Sequence, residues 1–157
     1  MSGPKDFSAT ARAVTATICG QTEVGPVRPG NQDAIVVSSA VAAVTGTRLT
    51  WTGRVPEAGA VVAVVDGMGG YAGGADAAAL AATALAEADP GRAPEDWDAW
   101  FEALSGRITR AGRAWDTPEM GATAAVLAIR PAGLVMANVG DCRIYRVAGG
   151  RLGRMSI

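Results

Sequence analysis

The 157-residue chain contains no histidine. That absence excludes Ser-His-Asp and Cys-His nucleophilic catalysis, imidazole zinc sites and phosphohistidine chemistry. Carboxylates, arginines, hydroxyls and hard metal ions are what remain for catalysis. Cysteine is scarce as well. Cys19 and Cys142 lie far apart, match no metal or redox spacing and are flanked by apolar strand-like residues, so two buried free thiols in a reducing cytoplasm are expected. Lysines and arginines number 14 against 15 acids, a net charge of −1 with no basic block. Such a balance leaves no electrostatic footprint for nucleic acid or for an anionic membrane. No run approaches the roughly 18 apolar residues that a membrane helix needs, and "MSGPKDFSATARAV" lacks the apolar centre of a secretory signal.

Hydrophobic residues make up 49% and charged residues 18%, the composition of a globular chain. Its length suits one domain, residues 1–157, with a real core. The β-rich "ARAVTATICGQTEVG" breaks at Gly25-Pro26, and a loop "VRPGNQD" follows. "AIVVSSAVAAVTG" is expected to be one strand turning near Thr45-Gly46, and "TRLTWTGRVPEAG" a surface strand with a loop. The β-branched run "AVVAVVD" has the pattern of a central strand buried on both faces. "GADAAALAATALAEAD" is rich in helix formers and stops at Asp89-Pro90-Gly91, with enough alanine to lie close against a sheet. A second helix is predicted from near Pro94, with Glu95 and Asp96 in its first turn. Its stripe of Trp97, Trp100, Phe101, Leu104, Ile108, Ala111 and Trp115 follows helical spacing and reads as core. Four strands end the chain, "GATAAVLAIRP", "GLVMANVGD", "CRIYRVAGG" and "RLGRMSI", with hairpins at Pro131-Ala132-Gly133 and Gly149-Gly150. Strands, two adjacent helices and then a meander argue for an α+β architecture with antiparallel sheets.

Asp66 closes the valine-rich strand and precedes a glycine-rich stretch. A carboxylate at the end of a buried strand costs free energy unless it is paired or bound to a cation. Gly67 lets its carbonyl approach an ion, and hard divalent ions take such oxygen ligands. Equally, the pair could form a plain turn before the helix. Gly67-Met68-Gly69 with Ala72 also fits a dinucleotide fingerprint, but Asp66 would set negative charge beside a pyrophosphate, and a second helix follows where a strand is needed. In "GPVRPGNQDA", Arg28 offers a fork for two phosphate oxygens and Asp33 could join Asp66; alternatively Asn31 makes an Asx-type turn and Arg28 is solvated. Asp141, in "ANVGDCRIY", is expected at a hairpin between two apolar strands and is uninformative alone.

Taken in order, Arg28-x-x-Asn31-Gln32-Asp33, Asp66-Gly67-Met68-Gly69-Gly70, Gly121-Ala122-Thr123 and Val139-Gly140-Asp141-Cys142-Arg143 resemble the metal-dependent Ser/Thr protein phosphatases of the 2C type, in their bacterial form. The resemblance implies an antiparallel β-sandwich flanked by helices, layered α-β-β-α, with a metal centre at one end. It implies that Asp66 bridges two Mn2+ or Mg2+ ions, that Gly67 lends its carbonyl, that Asp33 supports the cluster through metal-bound water, and that Asp141 holds a third, looser ion. Arg28 would bind the substrate phosphate. Hydrolysis would use a metal-activated water, with no protein nucleophile, and phosphorylated products of a Ser/Thr kinase would be the substrates.

Four departures stand beside the match. Tyr71 replaces the histidine that usually follows Asp-Gly-Met-Gly-Gly, Gly74-Ala75 replaces a frequent Gly-Glu, and Cys142 replaces a serine. The family's further metal-binding aspartates, on its closing segment, have no counterpart in these residues. Asp33 and Asp66 alone bring −2 against about +4 from two ions. The expectation is therefore the N-terminal portion of a type 2C domain with impaired activity; the alternative is a pseudophosphatase or regulatory phosphoprotein-binding module.

Overall fold

The computed structural model describes residues 13–68 and 70–156. The stretch read against a secretory signal lies, through residue 12, outside the described residues. Among the described residues, nine strands and two helices follow in the order β1 (Thr15–Gln21), β2 (Asp33–Val37), β3 (Ala40–Ala42), β4 (Arg48–Arg54), β5 (Ala60–Met68), α1 (Gly70–Ala86), α2 (Asp96–Ala114), β6 (Gly121–Arg130), β7 (Gly133–Val139), β8 (Tyr145–Ala148) and β9 (Arg151–Arg154). Every strand pairing is antiparallel. The main sheet has the order β3-β2-β5-β6-β7, and β1 pairs with β4 in a small sheet of its own. β8 and β9 form a separate hairpin whose residues are all exposed. The fold is thus α+β with antiparallel sheets, as the order of elements predicts.

The valine run forms the central strand, but it is not buried on both faces. Val61, Ala63 and Val65 are buried toward the helices, whereas Val64 is 50% exposed on the opposite face. Strand periodicity explains the difference, since successive side chains point to opposite sides of a sheet. α1 covers the buried side. Its Ala77, Ala78, Ala81, Ala82 and Leu85 pack on β2, β5 and β6, and their small side chains bring the helix axis close to the sheet. α1 begins at Gly70, four residues ahead of the expected Gly74, so Gly70, Gly73 and Gly74 belong to the helix.

α2 lies beyond α1 in the same layer, and Trp97, Leu104 and Ile108 are its large buried side chains. Trp97 packs against Trp100 and Phe101 at ring separations of 5.5 and 5.8 Å. Trp115, the last member of the predicted stripe, stands at the C-cap and is 54% exposed. The small sheet covers part of the other face through Ile18, Val37, Val55 and Ile129.

Two further expectations are corrected. "AIVVSSAVAAVTG" is a hairpin and not one strand, because Ser38 adopts φ 60° and turns β2 into β3. Cys19 is exposed, on the open face of the two-stranded sheet, and Cys142 is half-buried; both are free thiols.

Candidate functional site

Asp33 opens β2 and Asp66 lies in β5, and the two are direct antiparallel partners. Residues directly opposite in such a ladder project to the same face, with Cβ atoms ~5 Å apart. On the other side of β5, Thr123 of β6 is the partner of Asp66. Asp33, Asp66 and Thr123 therefore form a row across the end of the main sheet. They occupy the face away from the helices, because the intervening Ala34, Val65 and Ala124 belong to the helix-side core.

Asp66 is not terminal; β5 continues for two residues beyond it, and its side chain is exposed. The cost of burial falls on Asp33 instead. Burial first, then the Asp66 charge and a hydrogen bond with the Asp66 side chain, pushes the Asp33 carboxyl above the usual carboxylate range. Two oxygen-rich groups pressed together in this way form the hard donor set that divalent cations favour.

Gly67 is buried beside the pair, and its N–H donates to the Gln32 carbonyl at 3.1 Å. A Cβ at Gly67 would run into the Gly74 carbonyl of α1. Only glycine allows β5, the loop before β2 and the first turns of α1 to converge there. The donor set and this close backbone together fit a hard cation. Among the described residues, however, no group of three or more Asp, Glu, Cys or His side chains is placed to hold an ion.

A cleft of about 390 Å³ opens over the carboxylates and is lined by Glu23, Arg28, Asn31, Asp33, Asp66 and Gly67 among others. Arg28 is exposed, a guanidinium on the rim of the same cleft as the two acids. Asn31 makes the Asx turn: its Oδ1 accepts from the Asp33 N–H at 3.1 Å. The turn and the site are thus one structure, not competing alternatives. Glu23 and Thr22 were missed by sequence reasoning. Glu23 follows β1 as a single acid with no pattern of its own, and Thr22 is a hydroxyl among many.

Asp141 stands apart from the cleft lining. It is not at a hairpin, since β7 ends at Val139, β8 begins at Tyr145 and the two do not pair. It is exposed on the turn Gly140-Asp141-Cys142, where Gly140 has φ 82°. Asn138 fastens this turn, donating from Nδ2 to the carbonyls of Ala124 (3.1 Å) and Cys142 (2.8 Å). Cys142 Sγ lies 3.0 Å from Thr123 Oγ1. Burial raises the Cys142 thiol above its ordinary range; the Thr123 contact works against this, and the charges of Asp66 and Asp141 add to it. Because Cys142 touches Thr123, the ladder partner of Asp66, the Asp141 turn lies at the same end of the sheet as Asp66. The side chain of Tyr71 lies outside the described residues.

Antiparallel sheets with two helices on one face match the type 2C Ser/Thr phosphatase fold, and the chain's structural neighbours are bacterial phosphatases of this type. One is the Mycobacterium tuberculosis serine/threonine phosphatase PstP/Ppp, at 26% identity and a TM-score of 0.63, covering 92% of this chain and 54% of that one. PppA of Pseudomonas aeruginosa, described as a key regulatory component of T6SS, is 28% identical with a TM-score of 0.64, covering 90% and 55%. The S. agalactiae serine/threonine phosphatase is 25% identical with a TM-score of 0.65, covering 91% and 55%. The chain spans about half the length of these solved phosphatases. No family model and no curated protein matches it. No helix among the described residues is long and apolar enough to cross a membrane.

Proposed function

We propose that the chain is part of a metal-dependent phosphoprotein phosphatase acting on phosphoserine and phosphothreonine, with residues 1–157 forming the N-terminal portion of a single type 2C domain. The observation that carries this is the pairing of Asp33 with Asp66 across the β2–β5 ladder, in a cleft that Arg28 also lines. Similarity to a PstP catalytic domain described in complex with two manganese ions supports Mn2+ or Mg2+ as the cofactor, two ions in number. Asp33, Asp66 and the Gly67 carbonyl would hold them, with Asp141 as the ligand of a third. Bound divalent ions would supply the lowered water pKa that makes solvent an effective nucleophile at neutral pH.

The remaining roles belong to the chain's own groups. Arg28 would grip two phosphoryl oxygens through its planar fork and stabilise the charge that develops on them. The Asx turn at Asn31 would hold Asp33 opposite Asp66. Substrates would be phosphorylated proteins produced by a Ser/Thr kinase, in the cytoplasm. With −2 from Asp33 and Asp66 against about +4 from two ions, these 157 residues alone are expected to turn over weakly.

The test is Mn2+-dependent hydrolysis of a phosphothreonine peptide, with chelator and Asp66→Ala controls, alongside Mn2+ binding followed by the EPR signal of the free ion. Weak turnover and Mn2+ binding that both vanish in Asp66→Ala are expected. A wild-type chain that binds no Mn2+ and hydrolyses nothing overturns the proposal. If it binds the phosphopeptide without Mn2+, and Arg28→Ala abolishes that binding, a regulatory binding module takes its place.

A further inference from the structure

Among the described residues Thr22 is the one buried polar side chain, at 3% exposure. It directly follows β1, and its backbone is fixed on both sides to the loop leading into β4. The Thr22 N–H donates to the Thr47 carbonyl at 3.2 Å, and the Thr22 carbonyl accepts from the Gly46 N–H at 2.9 Å. Its hydroxyl faces the main sheet instead. Oγ1 accepts from Asn31 Nδ2 at 2.7 Å and donates to the Asp33 carbonyl at 3.3 Å. Asn31 in turn accepts from the Asp33 N–H. One hydroxyl therefore uses its donor and an acceptor site to hold both backbone polar groups of Asp33, one directly and one through Asn31.

We infer that Thr22 is a positioning residue: it couples the β1–β4 sheet to the main sheet and fixes Asp33 in register with Asp66. Its consequence for ion binding rests on the function proposed above; the positioning itself does not. Thr22 is buried and is not among the residues that line the cleft. A side chain that only filled space would depend on its γ-methyl, whereas this network depends on its hydroxyl, so the two roles predict opposite orders of damage. Thr22→Val keeps the shape and leaves the part-buried Asn31 donor without its partner, where an unmade hydrogen bond is costly. Thr22→Ser keeps the hydroxyl and loses the methyl.

The experiment measures hydrogen exchange of the Asp33 amide by NMR in metal-free full chain, with Mn2+ binding by EPR as a second readout. In Thr22→Val the Asp33 amide should exchange about tenfold faster, with amides of the β5–β6 ladder unchanged, while Thr22→Ser stays near wild type. Mn2+ affinity should fall about tenfold in Thr22→Val and recover in Thr22→Ser. Should Thr22→Val not fold, Thr22→Ala against Thr22→Ser makes the same comparison, since those two differ only by the hydroxyl. An Asp33 amide indifferent to loss of the hydroxyl overturns the inference, whatever Mn2+ does. A wild type that binds no Mn2+ while Asp33 exchange still follows the hydroxyl supports the positioning role and removes only the function built on it.

Discussion

Replacing Gly67 by alanine tests the convergence on which the site depends. A Cβ there would lie 2.5 Å from the Gly74 carbonyl carbon and 2.8 Å from the Gln32 carbonyl oxygen, with the Gly74 oxygen nearer still. All three are backbone atoms, so no side-chain rotation relieves the overlap. Restoring ordinary contact at about 3.5 Å requires the Gly74 turn of α1 to retreat by roughly 1.5 Å from β5. That turn leads directly into Ala77 and Ala78, which are buried against the sheet. Overpacking commonly costs about 1–3 kcal/mol, and with backbone on both sides the upper end applies, about 3 kcal/mol. For a chain of this size the melting temperature should then fall by about 6–12 °C. Gly30→Ala is the control, because Gly30 lines the same cleft yet has no atom within 4 Å of its would-be Cβ; its change should stay within about 0.5 kcal/mol. Urea unfolding followed by circular dichroism measures both. A Gly67→Ala protein within about 0.5 kcal/mol of wild type would refute the claim that this glycine is sterically required.

The carboxylate pair gives a pH prediction. Because the folded-state pKa of Asp33 is raised by burial and by Asp66, folding takes up a proton at pH values just above the usual carboxylate range. In chelator, this contribution to stability is fully present below that range and is lost as pH rises through the raised pKa. Asp66→Asn removes the charge and should shrink that loss, so its advantage over wild type grows toward neutral pH; a difference that is flat with pH contradicts the coupling. In the core, Leu85 is fully buried between α1 and the sheet, and Leu85→Ala should cost about 2–5 kcal/mol by thermal unfolding. A loss under about 1 kcal/mol would mean that the site collapses around the cavity.

Much of the site could be read from residue types in order. Asp66-Gly67 at the end of a β-branched run, Arg28 and Asp33 around Asn31, and the Ala-rich and Trp-bearing helices are local patterns, since strand and helix periodicities and turn chemistry act over a few residues. Local pattern could not say which strand lies beside which. Asp33 meets Asp66 only because β2 pairs with β5 across 33 positions, and that choice depends on burying Val36, Val65 and Leu85 together. The exposure of Cys19 and Val64, the separation of Asp141 from any hairpin, and the second sheet's grip on Asp33 through Thr22 have the same origin. Each is set by which surfaces the packed sheets cover, and sequence neighbours carry no record of that.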